Sequence, residues 1–280
     1  MSTLISTEQL DRDRADPALV LLDASFYLPT EPQNARALFA DAHIPGAAFF
    51  DIDAISDHST SLPHMLPDEA AFAEAAEGFG ISNGSRVVVY DQRGLFSAAR
   101  VWWMFRVFGH DAVLVLNGGL PKWRREGRAV STGEAKARPR GQFTPRFRPE
   151  LVRDRAAVTA NIATKAETLL DARAAGRFSG AVPEPRPGMR SGHVPGARSL
   201  PFTELLGADG TLKSPDALRT EFAARGIGAD SRPVTMCGSG VTGAVLSLGL
   251  VSAGLPTGAL YDGSWAEWGG LAETPVEVTA

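Results

Sequence analysis

The feature that most constrains the fold of this chain is an internal repeat, in which four short segments recur in the same order. In each copy an apolar run ends in Asp-Ala, a His-X-Pro-Gly-Ala segment follows, a strand-like run comes next, and a small tripeptide before tryptophan closes the series. The paired segments are 20–24 with 168–172, 43–47 with 193–197, 87–91 with 233–237, and 117–123 with 262–268. Shared order and similar spacing predict a tandem duplication of one structural unit.

Each copy alternates short apolar runs with longer amphipathic segments, a pattern typical of a mainly parallel sheet flanked by helices. Two predicted helices, 98–108 and 242–253, are rich in apolar residues and stop at Gly109 and Gly254. Glycine just past the last periodic residue is a frequent helix stop signal. The sequence therefore predicts an α/β protein made of two similar domains.

The boundary between the copies is marked by a change in composition. Residues 131–150 are rich in Gly, Pro, Lys and Arg and lack the periodicity of a helix or strand, as expected for a connecting segment. We predict a first domain over 1–135, a linker over 136–150 and a second domain over 151–280.

Size, charge and cysteine content exclude several classes of protein. A chain of 280 residues can form two ordinary cores, and a formal net charge of −4 provides no general attraction to nucleic acid or acidic membranes. No apolar run approaches the roughly 20 residues that cross a bilayer, and the first residues do not resemble a signal peptide. One cysteine cannot form an internal disulfide, and no His/Cys cluster has metal-ligand spacing. We expect a cytoplasmic protein without a metal or cofactor.

The single cysteine, Cys237, opens a Cys-Gly-Ser-Gly-Val-Thr-Gly run between a predicted strand and a predicted helix. Ligands of open α/β sheets bind beyond the carboxyl ends of the strands, so Cys237 should lie at that edge. Glycines at 238, 240 and 243 let the main chain turn and point N–H groups inward, and such a nest at a helix N-terminus stabilises an anion. The anion would be the thiolate of Cys237, which is the reactive form of cysteine.

The alternative role for Cys237 is that of a small buried apolar residue, as free cysteine often is. The repeat favours chemistry, because Asp91 stands at the matching position of the first copy. A thiol that is kept in one copy and replaced by a carboxylate in the other is not required by the shared fold. We expect the second copy to be catalytic and the first to be non-catalytic.

The loop that begins at Cys237, the acidic residue at position 91 and the duplicated layout resemble the two-domain sulfurtransferases of the rhodanese family. The resemblance covers nearly the whole chain and implies two tandem rhodanese-like domains. It also implies that Cys237 takes up the sulfane sulfur of 3-mercaptopyruvate as a persulfide and passes it to a thiol or to cyanide, releasing pyruvate. Members that use thiosulfate typically carry Arg-Lys where Gly238 and Ser239 stand here.

The same resemblance implies how the sulfur anion and the substrate are held. Inward-pointing N–H groups in the loop would hold the terminal sulfur, and the loop residues assigned to this contact are Gly238, Gly240, Val241 and Thr242. Residues 173–198 contain five arginines against one acid, Glu184. By resemblance, Arg177 and Arg186 would clamp the carboxylate and keto oxygen of the donor, which suits planar guanidinium groups. The alternative is a solvated basic loop.

Proton handling is implied by a further part of the resemblance. The family pattern Asp-Ile-Asp followed by His-Met-Leu occurs at 51–53 and 64–66, and it implies a relay of Ser239, His64 and Asp53 that manages the thiol proton of mercaptopyruvate. Histidine titrates near neutral pH and suits that task. The alternative is that His64 caps a turn before a helix predicted to start at Pro67.

Several polar residues are shared by both copies and are expected to be structural, because only one copy has the cysteine. His43 and His193 should each fix the turn before a strand. Asp23 and Asp171 should end strands, and Arg173 should pair with Asp171.

Three other functions are open at this point. The first is a thiosulfate:cyanide sulfurtransferase, either as the main or as a secondary activity. The second is a cysteine phosphatase, which needs an arginine six positions after the cysteine, where Gly243 stands here. The third is a non-catalytic sulfur carrier or binding module. The acceptor of a sulfurtransferase would be a thiol such as thioredoxin or glutathione, or cyanide.

Overall fold

The computed structural model describes residues 3–279 and divides into two compact units. Unit 1 comprises 3–57, 66–148 and 208–212, and unit 2 comprises 58–65, 149–207 and 213–279. Each unit therefore includes one short segment that lies, in sequence, within the other. His64 belongs by its packing to unit 2.

Unit 1 contains a five-stranded sheet in which every pair of neighbouring strands is parallel, in the order β1-β5-β4-β2-β3. Its strands are β1 (Leu4–Ile5), β2 (Leu19–Asp23), β3 (Ala47–Phe49), β4 (Arg86–Tyr90) and β5 (Val113–Leu116). Its helices are α1 (Thr7–Asp13), α2 (Ala35–Asp41), α3 (Glu69–Gly78), α4 (Ala98–Val107) and α5 (Gly119–Arg125). The central strands are buried on both sides, as the apolar runs predict.

Unit 2 repeats this arrangement strand for strand, in the order β6-β10-β9-β7-β8, again with parallel neighbours. Its strands are β6 (Val152–Arg153), β7 (Thr168–Asp171), β8 (Arg198–Ser199), β9 (Pro233–Met236) and β10 (Ala259–Tyr261). Its helices are α6 (Arg155–Thr164), α7 (Ala175–Ser179), α8 (Pro215–Ala223), α9 (Gly243–Ser252) and α10 (Ser264–Trp268). The predicted α/β fold with two tandem copies is confirmed.

The two apolar helices lie against their sheets as predicted. In α4 nine of the ten residues are buried, and in α9 eight of ten are buried. Gly109 and Gly254 follow these helices with φ of +84° and +73°, a left-handed conformation that glycine adopts without steric cost. Helix α9 begins at Gly243, with Thr242 as the capping residue, one position later than the sequence indicates. No helix within 3–279 is long and apolar enough to span a membrane.

Residues 136–148, which make up most of the linker predicted over 136–150, pack along unit 1 without forming a helix or strand. Phe143 is buried, and its ring centroid lies 5.8 Å from that of Phe72 and 6.4 Å from that of Phe105. The Arg146 N–H donates to the Phe108 carbonyl. One aromatic residue and a few main-chain hydrogen bonds therefore attach this segment to the core of the first unit.

Candidate active site

Cys237 directly follows β9 and lies at the carboxyl edge of the sheet of unit 2, where the topology of parallel α/β folds places ligand sites. Its side chain is 2% exposed. Asp171, which ends the neighbouring strand β7, is fully buried. The thiol is thus placed between a strand end and the start of α9.

The loop after Cys237 is anchored by the first residues of α10. The Ser264 hydroxyl accepts a hydrogen bond from the Cys237 N–H at 3.2 Å and donates to the Tyr261 carbonyl at 2.8 Å. The N–H groups of Trp265 and Ala266 donate to the carbonyls of Cys237 and Gly238 at 3.0 and 2.8 Å. The loop is therefore held through its main chain, independently of its side chains.

Ser264 adopts a left-handed φ of +49°, which is uncommon for a residue other than glycine. The matching residue of the first copy, Gly119, has a φ of +54°. Serine is used in unit 2 at the position where its hydroxyl can bind the Cys237 N–H. Ser264 was not among the site residues found from the sequence, although the repeat places it opposite a glycine.

In the first copy the equivalent loop encloses a carboxylate. Asp91 is fully buried, and its side chain accepts hydrogen bonds from the N–H groups of Arg93, Phe96, Ser97 and Ala98 at 2.7–2.9 Å. The loop and the N-terminus of α4 thus form an anion site that is occupied by a side chain of the same loop.

The corresponding N–H groups in unit 2 have no such acceptor. Among the residues that the structure describes, none accepts a hydrogen bond from the N–H groups of Gly240, Val241 or Thr242. Gly240 has a φ of +77°, and Gly240 and Val241 are buried. Buried N–H groups require an acceptor. The loop of Cys237 therefore offers donors that an anion formed on the cysteine can use.

The close approach of α9 to β9 leaves little space for a side chain at Gly243. A Cβ atom there would lie 3.0 Å from the main-chain carbon of Met236. A cysteine phosphatase needs an arginine at this position, and both the glycine itself and the tight packing around it disfavour that alternative.

Arg177 lies beside the cysteine loop, on the short helix α7. Its Nη2 atom is 3.1 Å from the position that a Cβ atom of residue 238 would occupy, so Gly238 leaves room for the guanidinium group. The Arg177 side chain is 24% exposed and forms a two-point ion pair with Glu184, in which Nε and Oε1 are 3.1 Å apart. One edge of the guanidinium group is thus bound by protein, and the group is neither buried nor fully solvated.

Glu184 joins Arg177 to a second, fully buried ion pair. Its Oε1 atom lies 2.8 Å from Nη1 of Arg173, and Arg173 binds Asp171 at 2.6 Å, which confirms the predicted structural pair. Burial disfavours the charged form of Arg173, but the two carboxylates outweigh this effect and raise its pKa. The guanidinium group also lies 4.3 Å from the ring centroid of Trp265. In the sequence Glu184 is a single acid among arginines. In the structure its side chain is 3% exposed and contacts both Arg173 and Arg177.

Arg186 brings together two of the residues predicted for proton handling. Its Nη2 atom lies 3.2 Å from Nε2 of His64 and 3.4 Å from the hydroxyl of Ser239. An arginine N–H can only donate, so His64 Nε2 accepts in this arrangement. The side chains of His64 and Ser239 are buried, at 5% and 6% exposure. The link between them runs through Arg186, which the sequence assigned to substrate binding alone.

Asp53, the third predicted member of the relay, belongs to unit 1. It lies in a turn where its N–H donates to a carboxylate oxygen of Asp51 at 3.1 Å and its carbonyl accepts from Ser56 at 2.7 Å. The role of Asp53 in a relay stays a prediction.

The two repeated histidines occupy matching structural positions. His43 stacks on Phe39 with ring centroids 4.1 Å apart, and His193 stacks on Phe178 at 3.8 Å. In each case the ring Nδ1 atom contacts the carbonyl of the stacked residue at 2.9 Å. Phe178 follows Arg177 directly, so His193 also steadies the helix that carries the arginine.

A cavity of unit 2 lies away from the cysteine loop, and the residues over 3–279 form no metal cluster there. Within 3–279 no group of three His, Cys, Asp or Glu side chains could hold a metal ion. A cavity of about 520 Å³ lies where β7 and β8 begin, at the opposite edge of the sheet, and its lining includes Lys165, Thr168 and Gly196. None of the predicted site residues lines it.

The comparison with known families agrees with the fold and the loop. The Rhodanese-like domain family matches the chain twice, over residues 6–126 and 154–271. The chain belongs to the rhodanese family. The two regions that match the family correspond to the two repeated sheets.

Several relatives of this chain are sulfurtransferases by name. It is 43% identical over 263 residues to the 3-mercaptopyruvate sulfurtransferase of Escherichia coli (strain K12), covering 94% of this chain and 93% of the relative. It is 41% identical over 271 residues to the thiosulfate sulfurtransferase of Bos taurus, covering 96% and 91%. The structure of SseA from Escherichia coli, described with the rhodanese fold of 3-mercaptopyruvate sulfotransferases, matches with a TM-score of 0.85 and 39% identity over 95% of this chain and 99% of SseA.

Proposed function

We propose that this chain is a sulfurtransferase that moves the thiol sulfur of 3-mercaptopyruvate to a thiol or cyanide acceptor, as the sulfane sulfur of a persulfide on Cys237. The observation that carries the proposal is the contrast between the two loops. One loop encloses the carboxylate of Asp91 with four N–H groups, while the other combines a cysteine with N–H groups that have no acceptor among the described residues. Relatives named 3-mercaptopyruvate sulfurtransferase are 43% identical to this chain over most of its length.

The chemistry proceeds in two half-reactions. The thiolate of Cys237 attacks the sulfur of mercaptopyruvate, an S–S bond forms, and the C–S bond breaks to leave the enolate of pyruvate. The proton of the substrate thiol moves to the enolate carbon, so pyruvate leaves and the enzyme keeps a persulfide anion. An acceptor thiolate then attacks the terminal sulfur and releases Cys237. This is nucleophilic covalent catalysis, for which ping-pong kinetics are expected.

Main-chain N–H groups stabilise the negative charge that passes from the Cys237 thiolate to the terminal sulfur of the persulfide. The persulfide places its negative charge one sulfur further from the strand than the thiolate does, over the glycine-rich loop. Gly240, Val241 and Thr242 supply N–H groups there, and Gly238 leaves space beside Arg177. Such fixed donors cost no reorganisation when the charge develops. Because Asp91 occupies the equivalent donors in unit 1, we propose that the first copy is non-catalytic.

Arg177 and Arg186 supply the positive charge that an anionic donor needs. With Glu184 on one edge, Arg177 keeps its Nη1 hydrogens and one Nη2 hydrogen for a carboxylate. Arg186 reaches both Ser239 and His64, so it can hold the keto oxygen close to the groups that handle the proton. The arrangement fits a short α-keto acid with a terminal thiol.

Replacing Arg177 with alanine should raise the KM for mercaptopyruvate by about 10- to 100-fold, since a charge-assisted contact to a carboxylate is worth about 1.5–3 kcal/mol. The kcat should fall as well only if the contact strengthens in the transition state. Steady-state pyruvate release measures both constants. Arg219→Ala, which removes an exposed arginine of unit 2, is the control. An unchanged KM in Arg177→Ala would remove this residue from the donor site.

Ser239, His64 and Asp53 are proposed to manage the thiol proton of mercaptopyruvate. Thiosulfate brings no such proton, so the two donors separate proton handling from sulfur transfer. Ser239→Ala should lower kcat/KM for mercaptopyruvate about 10- to 100-fold and lower it far less for thiosulfate. Pyruvate and sulfite release measure the two reactions. Equal losses with both donors would show that Ser239 acts in some other way.

The donor itself is tested by a panel. Mercaptopyruvate should give a much higher kcat/KM than thiosulfate with cyanide as the common acceptor, and the thiosulfate activity should be secondary. Preference for thiosulfate would instead assign the activity named for the Bos taurus relative. For the physiological acceptor we propose a thiol, with thioredoxin and glutathione as the first candidates, in the reducing cytoplasm where a protein with one unpaired cysteine persists.

A further inference from the structure

Glu184 is the acid of the arginine cluster that contacts Arg177 directly, and its negative charge opposes the binding of an anionic donor. Its carboxylate is 3% exposed, bridges Arg173 and Arg177, and binds one edge of the Arg177 guanidinium group. Ion pairing at such a site holds the guanidinium group in place, yet removing the carboxylate charge would strengthen the attraction for any anion. Glu184 therefore has two separable effects. It holds the Arg177 guanidinium group in place, and its charge weakens the attraction of that group for an anionic donor.

The charges on this part of unit 2 are nearly balanced. The guanidinium groups of Arg173 and Arg177 contact the carboxylates of Asp171 and Glu184, so two positive charges meet two negative charges. The two donors differ in the same property. Mercaptopyruvate with its thiol protonated is a monoanion, whereas thiosulfate is a dianion. Loss of the Glu184 charge would leave one positive charge of this cluster uncompensated, and a dianion gains more from that charge than a monoanion does.

We propose that Glu184 is a specificity-determining residue, which orients Arg177 and, by neutralising one positive charge, favours monoanionic over dianionic sulfur donors. The inference rests on the proposed function, since it concerns the donors of that reaction. Each further unit of positive charge attracts a dianion about twice as strongly as a monoanion. The preference for mercaptopyruvate is therefore set partly by an acid outside the cysteine loop.

The test compares the ratio of kcat/KM for thiosulfate to kcat/KM for mercaptopyruvate, because a ratio cancels losses of folded enzyme or of general activity. Glu184→Gln keeps the shape and one acceptor oxygen but removes the charge, and we expect this ratio to rise about tenfold at low ionic strength. Salt should reduce the rise, because counterions screen the added charge. Glu184→Asp keeps the charge, so its ratio should stay near that of the wild type even if both rates fall.

Glu167→Gln is the matched control. Glu167 is a largely buried acid that forms a two-point pair with Arg153, an arginine of unit 2. It lies just before β7 begins, at the opposite edge of the sheet from Cys237. Its ratio should not change. A ratio in Glu184→Gln equal to that of the wild type would overturn the proposal and leave Glu184 a purely structural residue. Failure of the proposed function looks different, because the wild-type enzyme would then release no pyruvate from mercaptopyruvate.

Discussion

Replacing Cys237 with serine should lower kcat/KM for mercaptopyruvate at least about a thousandfold, because serine keeps the shape of the side chain but cannot form a persulfide. Cys237 is the only cysteine of the chain, so no second thiol can take its place. The main chain of the loop donates to the Ser264 hydroxyl and accepts from the N–H groups of Trp265 and Ala266, so the variant should fold. Pyruvate release with an excess of acceptor measures the effect.

The control for this variant is its thermal unfolding, which should match that of the wild type to within a few degrees. Equal stability with lost activity assigns the effect to chemistry. More than a tenth of the wild-type activity in Cys237→Ser would show that sulfur reaches the acceptor without a covalent intermediate on this residue.

Replacing Asp91 with alanine should lower the free energy of unfolding by about 3–5 kcal/mol, although Asp91 is expected to take no part in the reaction. The change leaves buried N–H groups without an acceptor, each costing about 1–3 kcal/mol, partly relieved by water or by local movement. Asp91→Asn keeps one acceptor oxygen and should lose less. Chemical denaturation followed by fluorescence measures both.

Asp68→Ala provides the comparison within unit 1. Asp68 caps α3 by accepting a single hydrogen bond from the Ala71 N–H, and its loss should cost about 1 kcal/mol. If Asp91→Ala costs no more than this, the loop of unit 1 does not depend on an enclosed anion. The loop of unit 1 would then no longer show that a loop of this type binds and is stabilised by an anion.

The features that recur in the sequence were predictable because they follow from periodicity and from the repeat. The two sheets, the position of Cys237 after β9 and the ends of α4 and α9 at glycine are of this kind. The pair of Asp171 and Arg173 was also predictable, since the two residues lie close together at a strand end.

Other features depend on contacts that sequence spacing does not reveal. Glu184 looks like one acid in an exposed basic stretch, and only the packing of α7 shows that it is buried between two arginines. Phe143 lies in an aperiodic segment, yet it joins the core of unit 1. Arg186 was predicted to bind substrate, but its contacts with His64 and Ser239 depend on residues brought together over more than 50 positions.

The most direct measurement is the mass of the protein after brief exposure to one equivalent of mercaptopyruvate with no acceptor present. We expect a gain of one sulfur atom, located on the peptide that contains Cys237, with one pyruvate released for each sulfur bound. Addition of a thiol should restore the original mass. Release of pyruvate from a protein whose mass stays unchanged would show that no persulfide forms on Cys237.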